Sequence, residues 1–311
     1  MNDWIKRMLI IDQKTEVNAA RTVLTIGKFD GLHIGHMKII KKVLDISIDS
    51  DYALSKLVVS FVNHPDELLK DNFKGNLMSE TEKTSLLMKN NIDYYCPLVF
   101  DSTMRDTEAE VFFNEYIVGK WHARALVVGD DFCFGKGRKG NIAFLEENCE
   151  KAGIDLYVVQ RETYMGEPVS SSRIRAALEE GLVFEASVML GRKVMIKGIV
   201  EKGNQLGRTI GFPTINVSVA KNKFLPRFGV YGGHVIINGE KYRAISNIGV
   251  KPTVGSNRVI AEANIYNFDE DVYDCFASIS LESFIRPELH FNDLDELKKQ
   301  IEIDKKSFTN D

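Results

Sequence analysis

The sequence predicts an α/β domain on a doubly wound parallel sheet, followed by a small antiparallel β-barrel domain with a C-terminal helix. Three observations carry this. Short β-branched runs alternate with helical stretches through the first half of the chain. Beyond residue 190 the chain turns to glycine, aromatics and period-two alternation, the pattern of a small barrel. A length of 311 residues suits two domains.

The strands of the first domain are predicted at residues 23–26, ending at Gly27, at 57–61, at 94–100 with Pro97 interrupting, at 125–128, ending at Gly129, and at 156–159. Continuous apolar runs of this length suit strands buried on both faces of a parallel sheet. Between them, Ser79 with Glu82 forms a capping-box pattern ahead of Leu86 and Leu87. Thr107 with Glu110 predicts a second such start, ahead of Phe112, Phe113 and Tyr116. The helix after Ser172 carries Ile174, Ala177 and Leu178 at helical spacing and stops at Gly181, and a short helix over 184–190 stops before Gly191. Strands follow at 194–200, 229–237, 241–248, 259–268 and 275–284. Asn292 with Asp295 is expected to cap the last helix, with Leu294, Leu297 and Ile301 on one side. The composition changes at about 183–193, which sets the domains at 1–186 and 187–311.

Composition excludes several classes. With 40 basic and 44 acidic side chains the net charge is −4, unsuited to coating nucleic acid, so no nucleic-acid partner is expected. An apolar fraction of 44% is enough to support a core. No apolar run approaches the roughly 20 residues of a membrane-crossing helix, so no membrane partner is expected. The N-terminus lacks the pattern of a signal peptide. Cys96, Cys133, Cys149 and Cys275 form no C-x-x-C pair and read as free thiols, which points to the cytoplasm.

Two constellations carry chemistry. The first is the strand–helix turn at 27–36, where Gly27, Phe29, Asp30, Gly31, His33, Gly35 and His36 stand together. Its glycines let backbone approach a ligand, a helix N-terminus suits a polyphosphate, and His33 and His36 project from one side of the first turn. His64 follows the second strand. Residues 129–140, after the fourth strand, gather glycines, Asp130, Asp131 and three bases, and read equally as a solvated loop. Ser170, Ser171, Ser172, Arg173 and Arg175 start a helix and make a phosphate clamp.

The second constellation is at 207–216. Gly207 and Gly211 permit a turn, with Arg208 between them, and Pro213 fixes the approach to Thr214 and Asn216, whose side chains share one strand face. A hydroxyl and an amide oxygen are hard neutral ligands that could help hold Mg²⁺, and a structural turn is the other reading.

The His-Ile-Gly-His at 33–36 resembles the nucleotidyltransferases with that signature, and with 129–140 and 170–175 it is similar to their flavin-specific branch, the bacterial FAD synthetases. Residues 207–216 resemble the riboflavin kinase signature. That likeness continues at 226–231, 246–253, 261–265 and 285–288, and the two together resemble the bifunctional riboflavin kinase/FMN adenylyltransferases. Asn63, Lys251, Val254 and Asn264 depart from the family's pattern.

The resemblance implies a nucleotidyltransferase-type first domain that transfers AMP from ATP to FMN, releasing pyrophosphate and forming FAD. It implies a second domain that phosphorylates riboflavin to FMN and leaves ADP. It implies Glu262 as the base toward the riboflavin hydroxyl and His33, His36 and Arg173 as the groups that stabilise charge in adenylyl transfer. Thr214 and Asn216 are then placed on Mg²⁺ bound with ATP, and Asp131, Phe132, Asn247 and Arg286 on flavin. Activity in one half only, a flavin-binding regulator without turnover, and AMP transfer to another phosphorylated metabolite are the alternatives.

Overall fold

The computed structural model describes residues 8–50, 53–62, 73–202, 211–220, 222–253 and 256–308. The chain divides into two compact units, Met1–Ser170 and Ser171–Asp311. The two short helices around residue 180 thus group with the second unit.

The first unit is a three-layer α/β/α structure. Its six strands are β1 (Leu9–Ile10), β2 (Thr22–Gly27), β3 (Ser55–Phe61), β4 (Tyr94–Leu98), β5 (Ala123–Gly129) and β6 (Asp155–Val159). They pair in the order β1-β4-β3-β2-β5-β6, with every pair parallel. Alternate side chains go to opposite faces. Leu24, Ile26, Leu57, Val59, Cys96, Leu98, Leu126 and Val128 join one core with Phe112, Ile117, Trp121 and Leu145. On the other face Val58 and Tyr95 meet Ile40 and Leu87, while Val23, Ala125 and Val127 meet Val43 and Ile46. Burial on both faces is why the strand sequences do not alternate.

Five of the expected strands are present. The two-residue edge strand β1 and a small hairpin, β7 (Thr163–Tyr164) with β8 (Glu167–Pro168), are additions. The helix α1 (Ile34–Asp49) follows β2, and α2 (Glu80–Lys89) precedes β4. The capping box of α2 is as expected, with Ser79 Oγ accepting from Glu82 N and Glu82 answering on Ser79 N. The one expected at Thr107 is not formed. Thr107 is the C-cap of α3 (Ser102–Asp106), and its hydroxyl donates back to Thr103 O at 2.8 Å. The next helix, α4 (Ala109–Phe112), starts after Glu108 without a side-chain cap and runs on as a π-helix over Phe113–Lys120. The Thr107 hydroxyl is turned back onto the preceding helix, and α4 starts one residue further on, with Glu108 at its N-cap position. The helix α5 (Ile142–Ala152) completes the layer.

The second unit opens with α6 (Ser171–Glu180) and α7 (Val183–Leu190), the latter closed by Gly191 in the left-handed conformation. Six strands follow: β9 (Val194–Glu201), β10 (Thr214–Ser218), β11 (Gly229–Ile237), β12 (Glu240–Thr253), β13 (Ser256–Ile265) and β14 (Phe276–Arg286). They close a barrel in the order β10-β13-β12-β11-β14-β9. Register places Ile215, Val217, Val235, Ala244, Ile248, Ala261, Ala263, Ala277 and Ile279 on the lining. The alanines among them let so small a barrel close.

The last helix, α8 (Leu294–Ser307), lies on the outside of the barrel. Its cap is Asp293, accepting from Glu296 N, rather than Asn292. Asn292 instead donates to the Glu296 carboxylate, so the capping pair sits one residue later than expected. The inward side is also partly charged. Asp304 is buried and receives a fork from Arg286, Nε at 3.0 Å and Nη2 at 2.8 Å. Phe308 fills the place a side chain at 232 would take, since a Cβ on Gly232 would stand 2.3 Å from its ring. Lys305 lies over the Phe212 and Tyr266 rings, and burial lowers its pKa.

All four cysteines are unpaired, and burial pushes Cys96 up to about 12 and Cys149 to about 11. Neither buried thiol is a ready nucleophile. No described helix is long and apolar enough to cross a membrane.

The Arg286–Asp304 pair generates a stability prediction. The two side chains are 16% and 3% exposed. Asp304→Ala leaves a guanidinium without its partner, a change that costs on the order of 3–5 kcal/mol. Urea unfolding of the full chain should show the barrel transition moved to lower denaturant. A loss below about 1 kcal/mol, within the range of an exposed pair, would mean that α8 docks without the ion pair.

Candidate active sites

The order β4-β3-β2-β5-β6 reverses direction between β2 and β5. Such a switch point opens a crevice beyond the strand C-termini, where ligands bind in this class of sheet. The turn leaving β2 carries Gly27, Phe29, Asp30 and Gly31, and the loop leaving β5 begins at Gly129.

The turn after β2 is tightly specified. Gly31 has φ 82, a conformation it adopts without penalty, but Phe29 and Leu32 are also left-handed, at φ 44 and φ 38. For side chains with a Cβ that costs roughly 1–2 kcal/mol each, and the burial of both side chains offsets it. Asp30, also buried, accepts the Leu77 N–H at 2.8 Å. His33 caps α1, its Nδ1 accepting the His36 N–H at 3.4 Å. The two imidazoles stack at 3.6 Å, and the Phe29 ring meets His36 edge-on at 5.2 Å. The histidines form one block at the start of α1, with Gly35 between them.

The loop after β5 is held at its base by backbone pairing, with Asp131 and residues 136–139 exposed to solvent. Phe134 and Gly140 exchange backbone hydrogen bonds of 2.8 and 3.1 Å. Phe132 stacks on Phe134 at 5.6 Å. Arg161 approaches Asp130 at 2.9 Å and Asp131 at 3.8 Å. Lys38 of α1 pairs with Glu162 at 2.7 Å and donates to Gln160 O, tying the helix to the segment after β6.

In the barrel, register decides which polar groups meet. Asn216 on β10 faces Glu262 on β13, and Glu262 faces Asn247 on β12. The three share a row on the face opposite the apolar lining. Thr214 Oγ1 donates to Glu262 Oε1 at 2.7 Å. Asn247 Nδ2 donates to Glu288 Oε1 at 3.1 Å. Asn264 Nδ2 donates to Pro213 O at 2.8 Å and fixes the approach to Thr214. The Asn216 side-chain oxygen is buried and has no hydrogen-bond partner among the described residues. A buried acceptor left over in this way fits a hard-cation ligand. Beside Thr214 lies an open cleft walled by Pro213, Ile265, Phe268, Asp271 and Tyr273.

Known proteins pair the same two constellations. Residues 15–173 match the FAD synthetase family and residues 190–310 the riboflavin kinase family. The bifunctional riboflavin kinase/FMN adenylyltransferase of Bacillus subtilis is 35% identical over 292 residues, 92% of this chain and 91% of that protein. That of Escherichia coli K12 is 35% identical over 281 residues, 90% of this chain and 89% of that protein. The chain belongs to the bifunctional riboflavin kinase/FMN adenylyltransferase family. It is a transferase that makes FMN from riboflavin and FAD from FMN. A crystal structure from Streptococcus pneumoniae, described as a macrolide-efflux protein, superposes with a TM-score of 0.88 at 28% identity, covering 97% of this chain and 99% of that one.

Within the adenylyltransferase half, Gly27, Phe29, Asp30, Gly31, His33, Gly35 and His36 fall on one turn, and Asp131 and Phe132 on the loop across the switch point. Ser170 ends the first compact unit, while Ser171, Ser172, Arg173 and Arg175 open α6 in the second. The Arg175 guanidinium lies 5.6 Å from the Phe224 ring. His64, Gly207 and Arg208 lie outside the described residues, as do Asn63 and Val254.

In the kinase half, Thr214, Asn216, Glu262 and Asn247 converge. Arg286 lies two strands beyond Asn247, on β14, opposite Val230 of β11, which itself faces Asn247. Its fork is engaged by Asp304, and Nη1 donates to Pro287 O. The sequence motifs do not point to the cleft by Thr214. The signal that could have found it is the acidic run 269–271 framed by Phe268 and Tyr273.

Proposed function

We propose the following division of the chemistry among residues. In the kinase half the 5′-hydroxyl of riboflavin attacks the γ-phosphorus of ATP, its proton passes to Glu262, and ADP leaves. A hydroxyl is a poor nucleophile, so a positioned carboxylate is needed. The observation that supports this best is the Thr214–Glu262 hydrogen bond of 2.7 Å, with Asn216 opposite the same glutamate. Thr214 and the buried Asn216 oxygen would hold Mg²⁺, which when bound neutralises charge on the phosphates. The cleft beside Thr214 takes the purine, with Gly207 and Arg208 binding the nucleotide. Asn247 and Arg286 serve the flavin side.

In the other half the FMN phosphate attacks the α-phosphorus of ATP, pyrophosphate leaves and FAD forms. This nucleophile is already anionic, so no general base is required and the work is positioning and charge neutralisation. His33, His36 and the first amides of α1 hold the phosphates, with Gly27, Phe29, Gly31 and Gly35 shaping the turn and Asp30 fixing it. Arg173 and Arg175, with Ser170, Ser171 and Ser172, clamp the pyrophosphate. His64 assists at the phosphates, and Asp131 with Phe132 receives flavin. Neither nucleic acid nor a membrane is a partner of this reaction, and its compartment is the cytoplasm.

The halves are proposed to act independently, as domains 1–186 and 187–311. Purified full-length protein given riboflavin, ATP and Mg²⁺ should yield FMN and then FAD. A fragment of residues 184–311 should make FMN alone, and one of residues 1–186 should convert FMN to FAD. A folded C-terminal fragment that cannot make FMN, when the full chain can, refutes independence.

Loss of one preorganised donor to developing charge costs on the order of 10²–10³ in rate. His36→Ala should show that loss in FAD formation from FMN, with FMN formation retained. Equal loss of both activities in a folded variant would count against two sites.

Removing a general base costs on the order of 10²–10⁴. Glu262→Gln should therefore depress riboflavin phosphorylation by that factor, while riboflavin binding, followed by flavin fluorescence, and FAD synthesis from supplied FMN are retained. Near wild-type kinase turnover would remove Glu262 as the base.

A further inference from the structure

Behind the turn after β2 lies a buried charge that neither half-reaction uses. Lys83, on α2, has a side chain only 5% exposed. Its ammonium donates to Glu80 Oε1 at 2.8 Å, Ser60 Oγ at 3.0 Å and Phe61 O at 3.2 Å, so all three donors are taken. Ser60 in turn donates to Lys28 O at 2.9 Å, which lies inside the turn. At the far end Tyr95 donates to Glu80 Oε2 at 2.7 Å. Burial, and the carboxylate beside it, push the Tyr95 phenol far above its usual range, so it stays a donor. Tyr95, Glu80, Lys83 and Ser60 form one chain of hydrogen bonds that runs from the core to the main chain of residue 28. The lysine, Glu80, Lys28 and Asp30 also line a small recess beside that turn.

We infer that Lys83 is a positioning residue for adenylyl transfer, holding the phosphate-binding turn in its left-handed conformation through Ser60. The inference rests on the reading of residues 27–36 as the phosphate site. Phe29 and Leu32 keep a disfavoured backbone only while their surroundings over-determine it. Two polar ties do this on the two sides of Phe29: Ser60 on Lys28 O and Leu77 N on Asp30. An ammonium fixed by three acceptors prevents Ser60 from rotating away, because its Oγ must accept from Lys83 and donate to Lys28 O together. Lys83 thereby sets the register of the amides and imidazoles that follow, without touching substrate.

The test is steady-state FAD formation from FMN, with ATP varied at fixed Mg²⁺, on the full chain. Lys83→Met keeps the apolar stem and removes the charge. Groups that hold phosphate in the ground state act on KM, and their work on developing charge adds a fall in kcat. Displacement of such a shell typically costs tenfold to a hundredfold, so KM for ATP should rise by about that factor. FMN formation from riboflavin should be unchanged, as Lys83 lies in the other unit. Ser60→Ala, which cuts the link to Lys28 but spares the Lys83–Glu80 pair, should raise the same KM. Simple loss of folded protein would lower kcat and leave KM alone, so an unchanged KM in Lys83→Met overturns the inference. Should that variant fail to fold, Ser60→Ala decides by the same criterion. Wild-type protein that forms no FAD would instead refute the phosphate-site reading.

Discussion

Side chains on a β-strand point alternately to its two faces, and this limits where each half can keep polar groups. In the parallel sheet both faces are covered by helices, so the middles of β2, β3 and β5 are mostly apolar on both faces, with Thr25 and Ser60 buried polar residues toward their ends. Polar chemistry is left only the ends of the strands, and the reversal between β2 and β5 opens one crevice there. In the barrel one face is the lining, filled by Val217, Ala261, Ile248 and their neighbours. The outward row is all that remains, and there Asn216, Glu262 and Asn247 line up across three strands. One rule of strand geometry thus places one site at a loop and the other on a wall.

The two placements match the two nucleophiles. A phosphate monoester attacks as an anion and needs donors aimed at phosphate oxygens, which a helix start and two stacked imidazoles can supply. A primary hydroxyl needs an acceptor for its proton, and rigid strands hold a carboxylate more precisely than a loop does. The strand pair β10–β13 holds the Glu262 carboxylate through Thr214 in this way.

Much of this was legible in the sequence, because the signals were local. Parallel strands announced themselves as unalternating apolar runs, and the barrel through period-two patterning. The turn at 27–36 was readable because glycines and histidines fall within ten residues of each other. What escaped depends on long-range contact. Strand β1 is two residues long and exists through its pairing with β4. Thr107 offers the same capping pattern as Ser79, but the end of the preceding helix claims its hydroxyl. Arg286 carried a flavin expectation, and the ion pair that occupies its fork comes from Asp304, eighteen residues later. Lys83 looks like any helix-surface lysine, since nothing local says that Ser60 and Phe61 O will close over it.

The docking of α8 follows from the same geometry. A barrel that keeps polar groups on its outer face leaves the ends of that row open to water. Arg286 and Arg243 stand on that face with Gly232 between their strands. The final helix brings one group suited to each. Asp304 takes the Arg286 fork, Phe308 lies under the Arg243 guanidinium at 4.7 Å, and its ring occupies the space over Gly232. Lys305 adds its stem to Phe212, two residues before Thr214, and Tyr266 donates to its carbonyl at 3.0 Å. The helix therefore ties β12 and β14 through Arg243 and Arg286 and the residue that follows β13 through Tyr266.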